Sequence, residues 1–215
     1  MKVTLPQLPA QLEPATGLAL FLAADETLTQ VLVTAEDITD AQAKGFSASE
    51  VKFDKVTMSG AKLEKAGLAD VIIVGSDLIA AAFTDTSWRR VHIKSSRCSG
   101  LQLQMGSLKD VTFSDCKLNL VNFRFATLTN VIFENCVLDE ADFYAAQLAH
   151  VQFRSCSLEK TVFSGAKLRS VDLRTSDVFN IIGIGSLAGA TIDSTQLMTL
   201  AALLAAELKI KVGDN

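Results

Sequence analysis

Proline is nearly absent: the 215 residues contain three, at Pro6, Pro9 and Pro14, and none beyond. Proline donates no backbone hydrogen bond, so its exclusion from residues 15–215 fits a body made of continuous backbone ladders. Histidine occurs twice, at His92 and His150, far apart in phase; both read as solvated surface groups rather than as a base or metal ligands. The four cysteines, Cys98, Cys116, Cys136 and Cys156, include no C-x-x-C pair and share their column with no histidine, so no metal and no other cofactor is expected. Small buried thiols are the expectation, although stacked neighbours one coil apart lie within disulfide range. No Asn-x-Ser/Thr sequon occurs. Ala15 to Ala24 imitates the apolar core of a signal peptide, yet only Lys2 is available as a preceding base, Glu13 and the prolines intervene, and the run is too short to span a bilayer. A cytoplasmic protein without membrane contact is expected.

A dominant charge is missing as well. The net charge of −4 arises at the ends, with six acids against two bases in residues 1–45 and three against two in 181–215. Residues 46–180 hold fifteen acids and sixteen bases. A near-neutral body is a poor electrostatic partner for nucleic acid, and its one basic cluster, Arg89, Arg90 and Lys109, lacks interleaved aromatics.

What the chain does have is a beat. Val111-x-Phe113-x-x-Cys116-x-Leu118 recurs as Val131-x-Phe133-x-x-Cys136-x-Leu138 and as Val151-x-Phe153-x-x-Cys156-x-Leu158. Inside each twenty a shorter period of five holds from Phe53 to Val178, giving 26 consecutive apolar centres without an insertion. The residue two places before each centre is never charged. Five residues fit neither the 3.6 of a helix nor the two of a strand. They fit a coil that turns a corner every fifth residue, sends the centre and the residue two before it inward, and closes a turn after four sides. The expected core ladder stacks Val111, Val131 and Val151 in one column and Phe113, Phe133 and Phe153 in the next, at the spacing of paired strands.

In this pattern the chain resembles the pentapeptide-repeat family, commonly written A(D/N)LXX. The resemblance implies a right-handed, four-sided parallel β-helix and, by itself, little about activity. The chain departs from the family where Asp or Asn usually precedes the centre, placing Lys52, Ile72, His92, Thr112, Lys117, Val137 and Lys167 there.

The organisation expected is an N-terminal cap over residues 1–45, a β-helix over 46–180 and a C-terminal cap over 181–215. The cap boundary is set near Phe46 because Glu36 would otherwise point inward. Val3–Leu5 reads as a strand and Leu18–Leu22 as a short apolar segment. A helix over about 194–208 is signalled by Asp193 or Ser194 as N-cap and by Leu197, Leu200, Leu204 and Leu208 on one face. That helix either plugs the last coil or, with Leu203, Ile210 and Val212 adding apolar surface, dimerises the protein, as the resemblance implies.

Met105 and Phe125 fall on the same outward position of successive coils with Tyr144 near them, a candidate protein-contact patch. Three Ser-x-x-Lys strings, at Ser59/Lys62, Ser114/Lys117 and Ser164/Lys167, are by-products of the beat rather than an acylating site. Gly183-x-Gly185 lacks the third glycine of a dinucleotide fingerprint. A filled shaft without a cleft makes a poor enzyme. The expected function is therefore a non-catalytic interaction protein presenting a rigid surface to an unknown protein partner. The alternative, implied by the resemblance, is a DNA-mimicking inhibitor of DNA gyrase.

Overall fold

The computed structural model describes residues 3–23 and 27–213. Strands Ser47–Asp54, Gly67–Val74, Ser87–Lys94, Ser107–Ser114, Thr127–Glu134, Gln147–Arg154 and Lys167–Asp172 follow one another at intervals of twenty residues. Each pairs in parallel with the next in strict register: Val111, Val131, Val151 and Val171 lie opposite one another, and so do Phe113, Phe133 and Phe153. Bridges such as Gln102 to Asn122 and Lys117 to Val137 carry the same twenty-residue offset around the remaining sides. The architecture is a parallel β-solenoid with four sides to a coil.

The corners explain the period of five. Every fifth residue from Gln30 to Ser170 has a left-handed backbone, with φ between 49° and 78°. At corners such as Glu140 and Ala145 the turn is closed by a bond from the N–H three residues past a centre to that centre's carbonyl, from Ala141 to Leu138 and from Ala146 to Phe143. The long strands run straight through the corners at Asp70, Arg90, Asp110 and their successors without such a bond.

The inward slots are filled without a lumen. Phe113, Phe133 and Phe153 stack with ring centroids 5.1 and 4.9 Å apart and planes within 9° of parallel. Phe123, Phe143 and Phe163 form a second stack at 4.9 and 5.2 Å. The two stacks meet edge to face at 5.8–6.3 Å, the arrangement the ring quadrupole favours. The four cysteines are buried free thiols in the same interior.

Both ends differ from the expectation. The coiled path begins at Thr27, about one coil before Phe46, with strands Thr27–Thr29 and Val31–Thr34 paired to Ser47–Asp54. Glu36 does occupy an inward slot, but Gly17 N–H reaches its Oε1 at 3.0 Å and Leu18 N–H its Oε2 at 3.3 Å. The carboxylate thus meets the otherwise unpaired donors at the start of helix α1, Leu18–Ala23, whose Leu18 and Leu22 close the bottom of the core. Strand Glu13–Ala15 pairs with Val31–Thr34 one coil below it.

Val3–Leu5 forms no strand. Residues 3–9 instead run along the outside of the shaft, across its coils. Gln7 N–H donates to Asp70 Oδ1 at 2.9 Å and Thr4 N–H to Asp110 Oδ1 at 3.5 Å.

At the other end the coil continues to Ile182, bridged to Val162. Gly183, at φ 83°, lies so close to the Ser164 backbone that a Cβ would clash there, and the chain leaves the coil through the 3-10 turn Ile184–Leu187. Helix α2, Ser194–Glu207, then folds back under a capping box formed by Asp193 and Gln196. The Gln196 amide also donates to the carbonyls of Leu173 and Ser176, both at 2.6 Å, satisfying two carbonyls at the open top of the last coil.

Candidate interaction surfaces

An apolar ridge stands on one corner of the shaft. Met105 and Phe125, one coil apart, are 57% and 54% exposed. The Phe125 ring meets Tyr144 edge to face at 5.7 Å, and the Arg124 guanidinium lies 4.5 Å from the Tyr144 ring centre while pairing with Asp142 at 2.9 Å. Of the three predicted contact residues, Phe125 and Tyr144 meet, Met105 stands one coil away on the same corner, and Arg124, which the beat places one step before the corner, joins the pair. Leu120, on the next corner of the same side, is exposed as well. Met105, Leu120 and Phe125 all sit at φ 59°, where a bulky apolar residue gains nothing locally and Gly, Asn or Asp would be easier.

The C-terminal helix divides differently from its helical pattern. Leu200 is buried and Leu203 and Leu204 pack partly against the core, so these three plug the last coil. Leu197 and Leu208 are exposed, as are Met198, Ile210 and Val212. Between α2 and the preceding turn lies an open groove of about 330 Å3, lined by Ile184, Leu187, Ala190, Ile192 and Leu204.

The basic cluster does not form as the sequence suggests. Arg90 is turned onto Asp70, with Nε donating to Oδ1 at 2.6 Å and an Nη donating to Oδ2. It leaves Arg89 and Lys109, paired in register on adjacent strands. Residues 106–181 match the family model described as the pentapeptide repeat region. By that match, residues 106–181 are a pentapeptide-repeat region.

Among solved structures, the chain is similar to trypsin-treated QnrB1, a plasmid-mediated fluoroquinolone resistance protein, at 20% identity over 86% of this chain and 99% of that one, with a TM-score of 0.38. It is similar to HetL of Nostoc sp. strain PCC 7120, a pentapeptide-repeat protein involved in heterocyst differentiation regulation, at 17% identity over 82% and 96% with a TM-score of 0.35. It is also similar to the pectin methylesterase of Aspergillus niger, at 10% identity over 90% and 83% with a TM-score of 0.36. No curated protein matches by sequence.

The cysteine thiols of the coil are buried. Cys116 is drawn down by the Cys136 thiol, but the Cys98 thiol and burial outweigh this and push it up to about 12. Cys136 is pushed up to about 12 by the Cys116 thiol and by burial, against Cys156, and Cys156 is raised by Cys136 and burial. Cys116, Cys136 and Cys156 are therefore thiols at neutral pH. His92 Nε2 lies 2.8 Å from Ser114 Oγ, a pairing invisible in sequence because it joins adjacent strands two positions out of register. The serine is buried, and no carboxylate is hydrogen-bonded to the imidazole among the described residues, so the pair lacks both access and an orienting group. Burial pushes the His92 pKa down, with Lys94 adding and Asp115 and Glu134 opposing. Among the described residues no cluster of three metal-ligating side chains occurs, and no helix is long and apolar enough to cross a membrane.

Proposed function

We propose that this protein is a non-catalytic interaction module that engages a protein partner through the Met105–Phe125–Tyr144 ridge. The observation that carries this reading is the placement of bulky apolar Met105 and Phe125 on successive left-handed corners, both exposed, with Phe125 in contact with Tyr144. Such positions contribute little to folding, so their apolar character points to an occupant. Phe125→Asn suits the corner and removes the ring. Affinity enrichment from the native cell with wild type and Phe125→Asn should retain a specific protein with the first and lose it with the second. An identical set captured by both would end this reading.

The C-terminal end supports a twofold contact through the exposed Leu197 and Leu208 beside the groove. Light scattering should give twice the chain mass for wild type and a single chain for Leu197→Asp/Leu208→Asp; an unchanged mass removes the dimer. The alternative role, DNA mimicry against gyrase, calls for an unbroken acidic stripe, whereas here Asp70, Asp77, Asp142 and Asp172 pair with Arg90, Arg97, Arg124 and Arg174. A supercoiling assay should show no inhibition at stoichiometric protein, and inhibition would restore the gyrase reading.

A further inference from the structure

The N-terminal arm and the corner column it crosses share a period. Along the column the residues are Asp70, Arg90, Asp110 and Asn130, one per coil, each with φ between 52° and 55°. The acids recur every second coil and are the most enclosed charges of the shaft, 6% and 8% exposed. Each is oriented by the residue one coil above it: Arg90 holds both oxygens of Asp70, and Asn130 Nδ2 reaches Asp110 Oδ1 at 3.2 Å. The oxygens Asp70 Oδ1 and Asp110 Oδ1 also accept the backbone N–H of Gln7 and Thr4.

Two coils at about 4.8 Å each span about 10 Å. Three residues of extended chain at about 3.1–3.4 Å each span the same length. The match is reinforced by the arm's own sequence, Thr4-Leu5-Pro6 followed by Gln7-Leu8-Pro9, a tripeptide repeat with proline outside the donor positions. A polyproline-type helix has three residues per turn, so Thr4 and Gln7 share one face and the missing donors of Pro6 and Pro9 fall elsewhere. Val3 is buried at the upper end, fixing the register of the arm.

We propose that the column Asp70–Arg90–Asp110 is a recognition strip for extended, proline-bearing peptides of three-residue period, read through backbone N–H groups, and that residues 3–9 occupy it in cis. The strip stands on a corner adjacent to the apolar ridge and does not depend on it. The partner it fits is a segment of the form x-Leu-Pro-x-Leu-Pro, lying along the shaft axis with a donor over every second coil. The attached arm, at millimolar effective concentration, excludes such a partner until it is displaced.

The test uses the full chain and a fluorescent peptide of residues 1–12. Thr4→Pro/Gln7→Pro removes both donors from the arm, keeps it extended and leaves the strip untouched. The peptide should bind this variant at least about tenfold more tightly than wild type, the change expected for losing charge-assisted hydrogen bonds from the competing arm. The same peptide N-methylated at Gln7 should bind the variant about tenfold more weakly. Equal binding to variant and wild type would place the peptide elsewhere, equal binding of the methylated peptide would remove the hydrogen-bond reading, and binding to neither protein would remove the strip. Each of these overturns the proposal.

Discussion

Phe133 sits between Phe113 and Phe153 in one stack and against Phe123 and Phe143 in the other, fully buried. Truncation to alanine leaves a hole that rigid backbone ladders on four sides cannot close. Phe133→Ala should therefore cost about 3–5 kcal/mol in denaturant unfolding, and Phe133→Asp should prevent folding. His92 shows the opposite economy: its folded pKa lies below the ordinary 6.5, so the unfolded chain takes up the proton first. Its contribution is complete above about pH 6.5 and declines as pH falls from there through the lowered folded value. The urea midpoint of wild type should thus drop between about pH 8 and about pH 5.5, and His92→Gln should flatten that dependence. The cysteines give a third expectation: with all four thiols buried and Cys116 and Cys136 pushed up to about 12, an aromatic disulfide reagent should titrate none in the native protein and all four in denaturant. These inward positions were readable from the beat alone, because counting in fives fixes which side chains leave water. The His92–Ser114 contact was not, since outward neighbours depend on side-chain reach rather than phase.

The phase of the coil was legible from Phe53 to Val178, whereas its first coil at Thr27–Thr34 and the elements that break the period were not. The capping box of α2 was announced by Asp193 three residues before Gln196. Asp193→Ala should cost about 1 kcal/mol and fray the helix, seen as lost ellipticity without loss of the β signal. Helix α1 was hidden because six residues carry too little helical periodicity, and Glu36 looked like a violation of the inward rule until the helix start supplied its donors. The sequence rule that inward charges end a coil holds only where nothing pairs them. Strand Glu13–Ala15 and the arm before it were illegible for a different reason: their partners lie on the outside or one coil away, and the arm contacts span 63 and 106 residues. The C-terminal face was half right. Leu200 is the buried anchor and Leu204 supports it, while Leu197 and Leu208 turn outward because the helix rests on the coil along a narrow stripe.

At the scale of the whole molecule, each coil touches only its neighbours, so stability spreads along the axis by nearest-neighbour contacts and the ends open first. Residues 27–182 form one filled shaft whose inward slots are taken by buried apolar side chains, which is what the proposed use of its outer surface rests on. Amide hydrogen exchange followed along the chain tests this most directly. A filled shaft should give a single block of slow exchange from about Val31 to Leu173, continuous through the aromatic stacks, with helix α2 exchanging faster. A fast-exchanging segment within residues 101–165, marking a break or a solvent-filled cleft in the middle of the coil, would contradict it.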